Sequence, residues 1–251
     1  MRTANILTAL VLLAMPVAAQ AAESVKLDRA PIDSNDFVSL QRGAHTFINY
    51  CLGCHSANYM RYNRLRDLGL NERQIRDNLI FTGLKVGDLM KTAMASKDGK
   101  EWFGAAPPDL TVIARSRSSH AGSGADWLYT YMRTFYRDPS RPTGWNNVVY
   151  GNVAMPHVLY QLQGEQVLKT ERVMRPEGYA EDVQRLVLDK KGLLSPAEYD
   201  RLVADLVNYL DYMAEPAATK RRTIGVYVLL FLGLFWVLAY ALKKEFWKDV
   251  H

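Results

Sequence analysis

Apolar residues recur at helical spacing in several stretches of this 251-residue chain, and one twenty-residue run carries no charge at all. Phe37, Leu40, Gln41, Ala44, Phe47 and Ile48 mark one helix face after the capping residues Asp33, Ser34 and Asn35. That helix runs directly into residues 51–55. Gly43 lowers its propensity and marks a place where a second helix packs closely. Asn71 and Glu72 open a short helix through about Phe81. Met90 and Met94, four apart, read as a helix-face pair, and residues 125–135 have helical spacing with Trp127, Tyr129 and Tyr131. Ser195-Pro196-Ala197-Glu198 is a capping box with proline at the first helical position. Leu202, Val203, Leu206, Tyr209, Leu210 and Met213 then form an apolar stripe that ends near Glu215-Pro216. This last helix is expected to cross the first. Between the helices lie a turn-rich loop at 102–110, an irregular stretch at 137–152 and a polar stretch at 160–190. The polar stretch is read as a solvated face and a candidate docking surface.

The uncharged run is Thr223 to Leu242. At about 1.5 Å per residue it spans about 30 Å, one bilayer core. Lys220, Arg221 and Arg222 flank one end, and Lys243, Lys244 and Lys248 the other, so the distribution of positive charge does not orient it. Residues 1–22 do orient it. Arg2, a short apolar run from Ile6 to Val17 and Ala19-Gln20-Ala21 read as a secretory signal cleaved near Ala21 or Ala22. The predicted organisation is therefore a signal peptide (1–22), an exported periplasmic domain (23–219), an anchor with basic flanks (220–244) and a cytoplasmic tail (245–251). The host would be the inner cell membrane, crossed once. The net charge of +5 belongs to the two ends, and the middle is neutral. That pattern suits a membrane rather than nucleic acid.

The chain's two cysteines both lie in Cys51-Leu52-Gly53-Cys54-His55. Cysteine, two spacers, cysteine and histidine is the attachment signature of c-type haem. Two thiols become thioethers on the porphyrin vinyl groups, and the adjacent imidazole reaches the iron from the tethered face. Residues three and four apart share a helical face, so Cys51, Cys54 and His55 can all point at one ligand. A redox cysteine pair and half a zinc site are the blander readings, but a zinc site needs about four ligands. His45, His120, His157 and His251 are scattered. After the motif, Tyr59, Tyr62 and Leu65 recur every three residues, and the tyrosine rings are expected to pack the haem edge or the core. Pro107-Pro108 forms a stiff wall without free amides, suited to one haem face. Arg115 and Arg117 are both candidates to neutralise the propionates. Electron transfer calls for a sixth iron ligand, and methionine opposite histidine is the usual choice in cytochromes c. Met1 and Met15 leave with the signal, and Met60 is too close to the motif. Met90, Met94 and Met213 fit helix faces, Met132 lies on an aromatic helix, and Met174 is in a charged stretch. Met155 sits on a loop, extended by Pro156, well after the motif. It is the candidate ligand, with His157 in reserve.

Four strings together resemble the cytochrome c1 family, the haem-c subunit of the quinol–cytochrome c reductase (bc1 complex), in its bacterial type. They are CLGCHSANYMRY at 51–62, WFGAAPPDLTVIARSR at 102–117, NVAMPH at 152–157 and MAEP at 213–216, just before the anchor. The resemblance covers nearly the whole mature chain. It implies an all-α cytochrome-c-like haem domain with long loops plus one C-terminal transmembrane helix. It implies one covalent haem c on Cys51 and Cys54, with His55 and Met155 as axial ligands. Arg117 would be the propionate arginine, and Pro107 and Pro108 the haem-lining prolines. Relatives often carry Ala-Pro-Pro after the methionine, whereas here Pro156-His157 follows at once. The implied function is one-electron relay from a Rieske iron–sulfur subunit to a soluble or membrane-tethered cytochrome c. The implied partners are that Rieske subunit, cytochrome b and the cytochrome c acceptor, in a dimeric, proton-translocating complex. The protein itself would supply no bond chemistry. Two other readings are a membrane-anchored monohaem cytochrome feeding an oxidase or a periplasmic reductase, and a haem-based gas sensor.

Overall fold

The computed structural model describes residues 25–176 and 178–249. The signal expected at 1–22 and the last two residues of the tail lie outside the described residues. In chain order come α1 (Phe37–Thr46), β1 (Ala57–Arg61), α2 (Glu72–Leu79), β2 (Leu89–Met90), α3 (Ser96–Phe103), α4 (Ile113–Ser116) and α5 (Gly124–Arg133). They are followed by β3 (Phe135–Arg137), β4 (Trp145–Asn147), α6 (Tyr160–Gln163), β5 (Gly164–Met174), β6 (Ala180–Lys191), α7 (Pro196–Ala214) and α8 (Ala218–Phe246).

The core is built on α1 and α7, which cross as expected. The Asp36 side chain accepts the Ser39 amide at 2.9 Å and starts α1. Ser195 and Glu198 complete the capping box that starts α7. At the crossing Gly43 has no side chain to spare. A Cβ there would overlap the Asp205 backbone carbonyl and come within 2.7 Å of Tyr209 Cβ. The flanking Arg42 clasps Asp205 with two bonds of 2.6 and 2.9 Å. Asn208, buried beneath the crossing, donates to Asp33 O at 2.9 Å and Ser39 Oγ at 3.1 Å and accepts from the Asp33 amide at 3.1 Å. Phe47, Leu206, Tyr209 and Leu210 then close over the apolar interior. The other face of α7 packs α4 and α5, where Tyr199 donates to the Met132 carbonyl at 2.8 Å.

The chain is not all-α. Among the described residues there are three two-stranded antiparallel sheets. The largest is the β5–β6 hairpin, paired from Gly164↔Lys191 to Met174↔Ala180. It occupies most of the stretch read as a plain solvated face. Val167 pairs with Val187 and Leu168 with Leu186, half-buried at the base, while the outer charged positions are exposed. Charge on both faces of the outer half hides the period-two signal by which a strand is recognised. Gly164, at φ 95°, lets the two strands start in contact, because a Cβ there would strike the Lys190 and Lys191 backbone. Glu165 anchors the base by accepting two bonds of 3.0 Å from Arg137 and one of 3.0 Å from Lys190. Those contacts hold its carboxyl far down, at about 2.

Two smaller expectations also change. Tyr59 belongs to β1, an irregular strand in which only Ala57 and Met60 point inward, and it is 79 % exposed. Met90 lies in β2 and Met94 outside any helix, so the pair shares no helix face. Beyond Pro216 the chain rises as α8. Residues Lys220–Phe246 are long and apolar enough to cross a membrane, and none of that span's most apolar window is buried in the protein.

The crossing at Gly43 yields a direct expectation. Gly43→Ala should cost about 1–3 kcal/mol, the range for overpacking a filled site. It should lower the melting temperature of the detergent-solubilised protein, whereas Gly87→Ala, with no atom within 4 Å of the new methyl, should not. An unchanged melting temperature in Gly43→Ala would show that the helices can separate without cost.

Candidate functional site

The helical hydrogen-bond ladder of α1 does not stop at Thr46. It widens into one π turn over Phe47–Cys51, closed by Leu52 N–H donating to Phe47 O at 3.0 Å. Single π turns inside helices often occur at functional sites. The next bonds tighten again, with Cys54 N–H and His55 N–H both donating to Cys51 O at 3.0 and 2.8 Å. This winding brings Cys51, Cys54 and His55 to the wall of one cavity of about 320 Å³, within the size range of ligand and cofactor sites.

The cysteines are free thiols. Burial, then the neighbouring Cys54, pushes the Cys51 thiol up to about 12. Redox cysteine pairs need the opposite, a thiol acidified towards the thiolate. Among the described residues no three His, Cys, Asp or Glu side chains are placed to hold a metal ion together, as a zinc site needs. His55 is buried and its Nδ1 lies 2.7 Å from the Pro108 carbonyl. A carbonyl only accepts, so Nδ1 carries the proton and Nε2 keeps the ring's lone pair. Burial lowers the imidazole's pKa against the weaker pull of Pro108 and Asp109, which keeps the ring neutral. A neutral imidazole held by one nitrogen is the form that ligates a metal through the other.

Pro107 and Pro108 form another wall. Gly99 lets α3 press against the back of that wall, since a Cβ there would sit 2.6 Å from Pro107 Cδ. Asp109 stitches the wall to the segment after the motif, accepting the Asn58 amide at 2.7 Å and the Thr111 amide at 2.8 Å. Arg117 reaches the cavity and Arg115 stays exposed outside it. The Arg117 guanidinium lies 4.6 Å from the Trp127 ring centre and 5.6 Å from that of Tyr150. Among the described residues its buried Nε has no hydrogen-bond partner. An orphaned buried guanidinium nitrogen at the rim of an apolar cavity calls for an anionic acceptor.

Met155 lines the same cavity from the loop after β4. The loop is held by side-chain amides. Asn147, fully buried, donates to Tyr131 O at 2.8 Å and accepts the Val149 and Tyr150 amides at 2.9 and 3.1 Å. Asn146 accepts the Asn152 amide at 2.8 Å, and Arg141 donates to Asn152 Oδ1 at 3.1 Å and to its carbonyl at 3.2 Å. Asn152 itself takes the left-handed φ of 58°, tolerated best by asparagine among side-chain-bearing residues. The reserve candidate His157 is not in the cavity. It is buried, stacked 4.8 Å from Phe135 and edge-on to Trp145.

Of the residues expected from sequence, Cys51, Cys54, His55, Met155, Arg117, Pro107 and Pro108 share this cavity. Tyr59 and Tyr62 do not. Tyr59 faces solvent, and Tyr62 is buried in the core away from the lining. Sequence reasoning missed Tyr131, Leu206 and Leu210 as lining residues and the asparagine pair as the loop's anchor. Two adjacent asparagines in an irregular stretch were the available signal, because side-chain amides replace backbone partners in such loops.

The residues present fit a c-type haem: two thiols and a lone-pair imidazole in one winding, a thioether on the same cavity, a guanidinium with a free buried Nε among the described residues at its edge and apolar walls elsewhere. The model of the Cytochrome C1 family matches residues 28–250. A cytochrome c1 of Allochromatium vinosum is 52 % identical over 229 residues, covering 90 % of each chain. A protein of Nitrosomonas europaea named ammonia monooxygenase gamma subunit is 52 % identical over 251 residues, the full length of both. The mitochondrial cytochrome c1 haem protein of Saccharomyces cerevisiae is 21 % identical, covering 88 % of this chain and 70 % of its own.

The amide anchor is testable. Asn147→Ala leaves the Val149 and Tyr150 amides without their acceptor and should loosen the loop by roughly 1–3 kcal/mol. Hydrogen exchange should accelerate at those amides and not in α7. Unchanged exchange would remove Asn147 from the loop's support.

Proposed function

We infer the function from membership: this chain belongs to the cytochrome c1 family, the haem-c subunit of quinol–cytochrome c reductases. It is a one-electron carrier with one covalent haem c, relaying electrons from a Rieske iron–sulfur protein to a cytochrome c. The observation that carries this for the chain's own residues is the cavity that unites Cys51, Cys54, His55 and Met155 with an arginine whose buried Nε has no hydrogen-bond partner among the described residues. The haem supplies the one-electron couple. Cys51 and Cys54 hold it through thioethers, and His55 offers Nε2 because Pro108 holds the proton on Nδ1. Met155 would be the second iron ligand, on a loop that Asn146 and Asn147 hold in place. Arg117 pairs the propionates. Pro107, Pro108, Leu206 and Leu210 exclude water. A methionine ligand and a dry site both favour the reduced state and a high potential.

In this reading residues 23–219 form the periplasmic haem domain, 220–244 the anchor and 245–251 a cytoplasmic tail, after removal of residues 1–22. The partners are cytochrome b and the Rieske subunit in a dimeric complex, with a soluble or tethered cytochrome c as acceptor. The stand-alone tethered cytochrome is not favoured at this level of similarity. The gas-sensor reading needs an open iron position, and the Met155 loop argues against one.

Purification through a C-terminal tag in mild detergent should yield haem b in excess of haem c by difference spectroscopy. Haem c alone, with partners retained by crosslinking before extraction, would overturn the complex. Met155→Ala should lower the reduction potential strongly and admit carbon monoxide to the reduced protein. An unchanged midpoint would reject Met155 as ligand.

A further inference from the structure

The sulfur of Met155 has a protein partner. The Tyr131 hydroxyl lies 3.5 Å from Met155 Sδ, and among the described residues it makes no other hydrogen bond. Tyr131 is 7 % exposed and its ring is clamped. Trp127 stacks on it at 4.7 Å with planes 13° apart, and Phe135 meets it edge-on at 5.0 Å. Its backbone carbonyl is held by Asn147, the residue that anchors the Met155 loop. The phenol and the sulfur are thus positioned by the same residue from opposite ends.

We propose that Tyr131 tunes the reduction potential of this protein by donating its phenol hydrogen to the thioether sulfur of Met155. The proposal rests on Met155 being the axial ligand. A thioether has two lone pairs, so one can bind iron while the other accepts a hydrogen bond. Donation to the sulfur draws density from it and weakens it as a donor. The oxidised iron, with the higher charge, loses more from a weaker donor, so the bond favours the reduced state. Hydrogen bonds to ligand atoms tune metal sites in this way generally. Tyr131 acts through the ligand and is a positioning and tuning residue, not a catalytic one. Its shape also matters: phenylalanine would keep the stack on Trp127 and remove only the hydroxyl.

The test uses the full-length, haem-loaded protein in detergent and potentiometric titration. Tyr131→Phe should lower the ferrous-to-ferric ratio at a fixed ambient potential roughly twofold to tenfold, the factor for a net hydrogen bond. Tenfold corresponds to about 59 mV for a one-electron couple. The sulfur-to-iron charge-transfer absorption of the ferric protein should persist, showing that Met155 stays bound. Fluorotyrosine at position 131 makes a stronger donor of nearly the same shape and should shift the ratio the other way. A role in packing alone predicts no such opposite shift. If Tyr131→Phe does not assemble, the fluorotyrosine protein decides: a raised potential supports the bond and an unchanged one overturns it. In a Met155→Leu background, Tyr131→Phe should add nothing, and an undiminished effect there would also overturn the proposal. Failure of the ligand reading looks different: Met155→Leu by itself would leave the charge-transfer absorption and the midpoint unchanged.

Discussion

The approach of α1 to α7 at Gly43 is the constraint on which the haem domain depends. Only a missing side chain lets the Asp205 backbone carbonyl come so near the α1 backbone. Once the two helices touch there, the direction of α1 is fixed and so is the place where it ends. The π turn at Phe47–Cys51 then rotates the winding just where the cysteines begin. On the other helix, Leu206 and Leu210, which directly follow the contact residues Asp205 and Tyr209, become cavity wall. A single close contact therefore sets both the attachment winding and the surface that faces it. Asn208 and the Arg42–Asp205 pair lock the crossing angle. The exposed half of that ion pair contributes less than the buried amide, because water screens a partly exposed charge pair.

The remaining walls are loops, and loops need partners for their backbone groups. Here the partners are side chains. Asp109 serves the Pro-Pro wall, where prolines have removed amides that would otherwise need acceptors. Asn146, Asn147 and Arg141 serve the methionine loop. His55 ties the attachment winding to the proline wall through its Nδ1 bond to the Pro108 carbonyl. The site is stiff because every segment that lines it is tied to a different element, not because any one tie is strong.

Much of this was legible in the sequence because it is local. Cys51-Leu52-Gly53-Cys54-His55 reads as chemistry by spacing alone, Asn71-Glu72 and the capping box at Ser195 mark helix starts, and the charge-free run marks the anchor. Gly43 and the stripe on α7 foretold the crossing. What was hidden is non-local. The β5–β6 hairpin depends on pairing between residues up to 27 positions apart, Gly164 with Lys191, and its outer half carries charge on both faces. Tyr59 and Tyr62 recur every three residues, but only Tyr62 reaches the core, because β1 is irregular and buries Ala57 and Met60 while Tyr59 faces solvent. Arg115 and Arg117 could not be separated by type, because the difference is a turn. Arg115 lies on α4 and Arg117 caps it, which swings only the second towards Trp127. The asparagine pair looked like ordinary loop composition until its acceptors were known.

The same geometry bears on whether the iron's sixth position is open. A gas-binding haem needs a ligand side that a small molecule can occupy. In the proposed reading that side is the Met155 loop, and lifting it would break two bonds to Asn147, one to Asn146 and two from Arg141. At roughly 0.5–1.5 kcal/mol net for each bond, opening would cost several kcal/mol even with water taking their place. Val153 and His157, on either side of the methionine, are buried and would have to leave the core as well. That cost falls on a site whose oxidised and reduced forms need the same ligands. A loop tied down this firmly suits a carrier that exchanges electrons without exchanging ligands.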